Sequence, residues 1–286
     1  MQVTLNDSVS FLFWVAFCYK KSRLLLKGDL NMKVLIIGQI VLWRRDFVLD
    51  ESIKLLFDTI NVVIITVDNA LTNPYPGKSV MIDQRIDHSI SSDTLNFLPL
   101  SKCIFILANN HSTDYGVEGL RNWEHFCRKN SVKYVGLSKG QLYVDVGPFR
   151  LFAISSDKHM SNQKYLWARE EICHLTEDNL VKINNNLDNN KTNILFWHDH
   201  LNIDSSFVKR LSGVDLVFKT GDPYPLLRIS DCVVSGLGSF IFESKKLDHY
   251  NSSIDISHAL LIDTEDVTKS ELITFRKVDK VIKIVN

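Results

Sequence analysis

The sequence predicts an α/β sandwich, with central mixed β-sheets flanked by helices. Short, wholly apolar runs recur along the chain, the mark of strands covered on both faces. Amphipathic helical stretches alternate with them in the first half. Gly147-Pro148 then separates two apolar runs as a hairpin turn would, adding antiparallel pairing to a parallel pattern.

Residues 34–37 open the series as a buried strand, and Asp50 is placed to cap a helix with Ile53, Leu56, Phe57 and Ile60 on one side. The run VVIIT (62–66) is the next strand. A polar stretch with Pro74 and Pro76 precedes CIFILA (103–108), and a helix over 117–129 turns Val117, Leu120, Trp123 and Cys127 inward. A short strand is expected at 134–136. Residues 141–146 and 149–154 form the hairpin arms. A polar helix over 175–183 leads into the Asn-rich stretch NNNLDNN (184–190), which reads as a loosely packed surface loop. Strands resume at NILFW (193–197), VDLVF (214–218) and CVVS (232–235), with further β pairing over 239–243 and 272–285.

Residues 1–31 stand apart. VSFLFWVAFCY (9–19) is apolar but shorter than the ~20 residues that a membrane helix needs, so no stable transmembrane segment is expected. Lys20, Lys21 and Arg23 follow this run, the reverse of the order in a signal peptide. The segment reads as an over-extended start or a poorly ordered arm, with a short interfacial anchor as the alternative. Residues 32–286 read as one domain.

Composition narrows the function. Lys plus Arg and Asp plus Glu are 33 each, for a formal net charge of zero. Without a basic excess or stripe, nucleic acid is not an expected partner. Cys18, Cys103, Cys127, Cys173 and Cys232 are scattered singly, with no pair spaced for zinc or dithiol chemistry. They read as reduced, structural thiols of a cytoplasmic protein, membrane-associated if the first residues anchor it.

Chemistry in such folds gathers where strands end. Gln39 follows the first run, Asp68-Asn69 the second and Asn109-Asn110-His111 the third, with Asp114 and Gly116 close behind. His198-Asp199-His200 follows NILFW. Lys219-Thr220-Gly221-Asp222 follows VDLVF, and Gly236-Leu237-Gly238-Ser239 follows CVVS. Any single Asn or His at such a place is an ordinary turn former. Asp, Asn and His recurring at several exits are the side chains that hold divalent metals. Arg44 and Arg45 could meet an anionic polymer or equally form an exposed pair.

FILANNHSTDYGVEGL (105–120) resembles the signature of the CapA family of capsule and poly-γ-glutamate synthesis proteins: a strand, an Asn-Asn-His turn, Asp-x-Gly and a helix. GQIVL (38–42), TVDNALT (66–72), Trp197-His198-Asp199, VDLVF with Gly221-Asp222-Pro223-Tyr224, and SGLGSFIFE (235–243) match further family segments in order, spanning about 39–243. The resemblance implies a metallophosphoesterase-like sandwich with a two-metal centre and an activated water. It assigns Asp68, Asn110 and His198 to metal, with His200 as a supplement. It places His111 and Asp114 on the catalytic side and Asn109 and Ser239 near substrate, with Arg44 and Arg45 added as substrate-binding candidates from their charge alone. Gln39 stands where the family has aspartate, Gly221, Asp222 and Tyr224 where it has a histidine cluster, and Ser239 where it has asparagine. One divalent ion (manganese, zinc or iron) or none is therefore expected in preference to two. The implied role is in capsule, exopolysaccharide or poly-γ-glutamate biosynthesis or export. Its implied partners are an anionic polymer or precursor and other polymer-synthesis proteins. The alternatives are an active metal-dependent hydrolase of phosphoester or amide bonds, and a non-catalytic binding or scaffold protein for an anionic polymer.

Overall fold

The first strand, β1 (Lys33–Val41), runs well past the expected 34–37. It continues through Gly38, where an added Cβ would overlap the Gly238 carbonyl oxygen. Gln39 therefore lies inside the strand, at an irregularity in the ladder. The computed structural model describes residues 31–42, 47–72, 89–156, 172–199, 211, 213–222, 224–225, 227–230, 233–242, 255–265, 269–278 and 280–285. The expectations for residues 1–30, Arg44, Arg45, His200, Cys18 and Cys232 lie outside them.

After β2 (Val48–Leu49), α1 (Glu51–Thr59) starts as expected: the Asp50 carboxylate accepts from Ser52 N at 3.0 Å and Ser52 Oγ at 2.6 Å. Ile53 and Phe57 are buried in the core, and Lys102 Nζ donates to the carbonyls of Phe57 and Asp58 near the helix end. That cation meets the negative end of the helix dipole. Next come β3 (Val62–Val67), β4 (Ala70–Leu71), β5 (Ser89–Ile90) and β6 (Cys103–Ile106). Helix α2 (Gly116–Lys129) buries Leu120, Trp123 and Cys127 as expected. Phe126 joins them on the inner face, whereas Val117 is only half-buried. Trp123 Nε1 donates to the Asn69 carbonyl at 2.9 Å, and its ring meets Phe105 edge-on at 5.7 Å.

β7 (Lys133–Val135) is followed by the hairpin of β8 (Tyr143–Val146) and β9 (Phe149–Ser155). Gly147 takes φ 52° at the first turn position, ahead of Pro148. Helix α3 (Glu177–Asn185) is capped by Thr176. The residues after it are tied down, unlike the loose loop expected. Arg150 donates to the Asn186 carbonyl at 2.8 Å, and Asn193 Oδ1 accepts from Asp188 N at 3.0 Å. The remaining strands are β10 (Thr192–His198), β11 (Leu216–Thr220), β12 (Arg228–Ser230), β13 (Val233–Ser235), β14 (Ser239–Phe242), β15 (Ile256–Asp263), β16 (Glu271–Val278) and β17 (Val281–Val285).

Among the described residues these strands form two large sheets. One runs β2-β17-β16-β15-β1-β3-β6-β7, with β14 also paired to β1; the other runs β12-β13-β11-β10-β9-β8. Both mix parallel and antiparallel neighbours. A single apolar cluster joins Ile36, Ile64 and Phe105 of the first sheet to Leu151, Ile194, Phe196 and Phe218 of the second, so the sheets pack face to face. Alternate residues of the second sheet, Phe152, Leu195, Trp197 and Val217, face outward onto Leu180 and Ile183 of α3. This is the predicted α/β sandwich. The antiparallel strand β15 beside β1 was not anticipated. Among the described residues no helix is long and apolar enough to cross a membrane.

Candidate functional site

Strand parity places the site. In β10 and β11, Ile194, Phe196, Leu216 and Phe218 point between the sheets. His198 and Thr220 continue that parity and are register partners at the strand ends. Across the gap, Asn110 follows β6. His198 Nε2 and Asn110 Oδ1 are 2.8 Å apart, and His198 Nδ1 lies 3.3 Å from Thr220 Oγ1. A second crossing links Gln39 of β1 to the end of β11, where Gln39 Oε1 accepts from Gly221 N at 3.1 Å. Gln39, Asn110 and His198 are all buried, so these bonds form in a medium that strengthens them.

Asn109 has a different task. It is wholly buried; its Oδ1 accepts from His111 N, Ser112 N and Ser112 Oγ, and its Nδ2 donates to the Val67 carbonyl. These bonds shape the turn that presents Asn110 and His111. His111 Nδ1 lies 2.6 Å from Asp114 Oδ2, with the Asp114 carboxylate fully enclosed and the imidazole slightly open. That contact favours the tautomer with a proton on Nδ1, a pairing in which a carboxylate orients an imidazole. Asp68 is buried directly after β3, with its N–H bonded to the Ile40 carbonyl at 2.9 Å. Ser239, register partner of Gln39, is also buried, and its Oγ makes no hydrogen bond among the described residues.

The other parity builds a support that sequence reading missed. Lys219 Nζ pairs with the enclosed Asp199 carboxylate at 3.0 Å and sits 5.2 Å from the Trp197 ring centroid. Ser156 Oγ donates to Asp199 Oδ1 and accepts from Trp197 Nε1, both at 2.9 Å. This network fixes the exit of β10 from its outer side and thereby holds His198 inward. The signal was present in the alternation of Trp197, His198 and Asp199, once the strand was known to be buried on both faces.

These residues do not fit a two-metal centre. Two divalent cations in one site need anionic ligands, yet Gln39 offers only a neutral amide oxygen that already accepts from the Gly221 N–H, beside an NH₂ group that cannot ligate. Asn110 and His198, expected as separate ligands, spend an oxygen and a ring nitrogen on each other. Among the described residues no group of three or more His, Cys, Asp or Glu is arranged to hold a metal ion.

No protein-family model matches the sequence, and the search of curated proteins finds no match. Among solved structures, the fold is similar to a hypothetical protein from Thermus thermophilus, at a TM-score of 0.50 and 10% sequence identity. The match covers 86% of this chain and 100% of that one. At that identity it speaks for the architecture alone.

Proposed function

We propose that the chain is a CapA-like protein of capsule, exopolysaccharide or poly-γ-glutamate biosynthesis or export, and that it acts by binding an anionic polymer or precursor instead of hydrolysing it. The motif resemblance supports the family, and one observation carries the loss of hydrolysis. Gln39, where the resemblance calls for an aspartate ligand, is a neutral amide whose oxygen accepts from Gly221 N–H. Two divalent ions would rely on anionic ligands to offset their charge, and the neutral amide of Gln39 would supply none. At most one divalent ion, manganese, zinc or iron, would find donors in Asp68, Asn110 and His198. The proposed partners are the polymer and other polymer-synthesis proteins.

Deleting the gene and measuring surface polymer tests the role; restoring the Gln39→Glu variant separates binding from metal chemistry. Loss of polymer, rescued by the wild-type chain without detectable phosphoesterase or amidase activity in vitro, is the expected result. Unchanged polymer would remove the polymer role.

The alternative of an active hydrolase draws on the His111–Asp114 pair, whose 2.6 Å contact is what an acid or base at a leaving group uses. Turnover of a phosphoester that disappears in His111→Gln, with the fold retained, would favour it.

A further inference from the structure

We infer that the strand-exit cluster is a metal-free clamp between the two sheets, and that Gln39 is the residue that makes it so. In a metal centre the ion joins the strand ends by accepting lone pairs from both sides. Here two direct hydrogen bonds span the same gap: Gln39 Oε1 with Gly221 N–H at 3.1 Å, and Asn110 Oδ1 with His198 Nε2 at 2.8 Å. They tie β1 and the exit of β6 in one sheet to the ends of β11 and β10 in the other. A bound divalent ion has to break the Asn110–His198 bond before it gains both donors, and at Gln39 it would find a neutral amide oxygen already accepting from Gly221 N–H, with no anionic charge to offset the loss.

Chain length decides the first bridge. Gly221 takes φ 108°, which aims its N–H in a direction that ordinary residues avoid, and glutamine reaches that N–H from within β1. Glutamate is equally long and can still accept from Gly221, but it adds a negative charge next to Ile40, whose carbonyl accepts from Asp68 N at 2.9 Å. Two carboxylates there repel each other unless a cation sits between them. The cluster is thus one substitution away from needing a metal. His198 is held ready for the clamp by Thr220 on its inner side and by the Lys219–Asp199–Ser156 network behind its strand.

Thermal unfolding of the full-length chain, run in EDTA and again with manganese, tests the clamp. The wild type is expected to melt within about 1 °C of the same temperature in both. Gln39→Leu, which removes the acceptor and strands the Gly221 N–H, is expected to melt roughly 2–6 °C lower in either condition. Gln39→Glu is expected to melt low in EDTA and to recover with manganese. A wild-type melting temperature that falls by several degrees on chelation would overturn the inference, as would Gln39→Leu melting like the wild type. Should Gln39→Leu fail to fold, the manganese response of Gln39→Glu against the wild type decides alone. The clamp and the polymer role fail separately: chelation-sensitive melting leaves the deletion phenotype standing, and unchanged polymer leaves the melting curves standing.

Discussion

His258 sits in β15 with its ring buried and Nδ1 3.1 Å from Thr274 Oγ1. Burial without a countercharge holds its pKa below the ordinary histidine value. The unfolded chain therefore binds a proton that the folded chain refuses, between the lowered pKa and about 6.5. Stability is complete above that window and falls as the pH drops through it. Denaturant midpoints measured from about pH 7.5 to 5 should decline, and His258→Gln should flatten the decline. Burial similarly pushes the thiols of Cys103 and Cys127 up to about 12 and that of Cys173 to about 11. At about pH 8 these thiols should escape iodoacetamide in the folded protein and react once it is unfolded, as peptide mapping would read. Ser239 is the opposite case, a buried hydroxyl with no bond among the described residues. Ser239→Ala is expected to leave stability unchanged or raise it by up to about 1 kcal/mol, since no bond is lost. A clear loss in melting temperature would assign the hydroxyl a partner.

Among the elements, the hairpin and the segment after α3 form one unit. Arg150 donates through Nε and one terminal nitrogen to both oxygens of Asp145, and its guanidinium lies 4.0 Å from the Tyr143 ring centroid. The paired Arg150, with Lys191 beside it, holds the Asp145 carboxyl below its usual range. Arg150→Met breaks this pair and the bond to Asn186 together, and should cost about 1–3 kcal/mol, measured by chemical denaturation. The same segment shows why some of the sequence was legible and some was not. Asp50 announces α1 because capping is local, and the Gly147-Pro148 turn announces the hairpin for the same reason. Residues 184–190 read as loose because Arg150, the partner of Asn186, is distant and Asn193, the partner of Asp188, lies beyond the low-complexity run. Strand β15 escaped notice because its run is short and broken by His258, and only pairing with β1 makes a strand of it. Gln39 was read as lying beyond a strand that in fact contains it, since nothing local reveals that Gly38 meets Gly238.

At the scale of the whole molecule, two sheets share one core, and the chemistry-bearing residues gather where their strands end. Sequence reading brought Asp68, Asn110, His111 and His198 to those ends, because polar residues after buried runs are visible without a structure. It could not show that Asn110 and His198 meet each other, or that Asn109 ties its own turn to the Val67 carbonyl. The first fact depends on how the two sheets face one another. Two hydrogen bonds cross the strand-exit layer from one sheet to the other, Asn110 to His198 and Gln39 to Gly221. The most direct measurement is the metal content, by mass spectrometry, of the full-length protein purified after supply of manganese, zinc and iron. At most about one ion per chain is predicted, falling toward none on mild chelation. About two ions per chain, lost together in His198→Ala, would contradict it and return the site to metal-dependent hydrolysis.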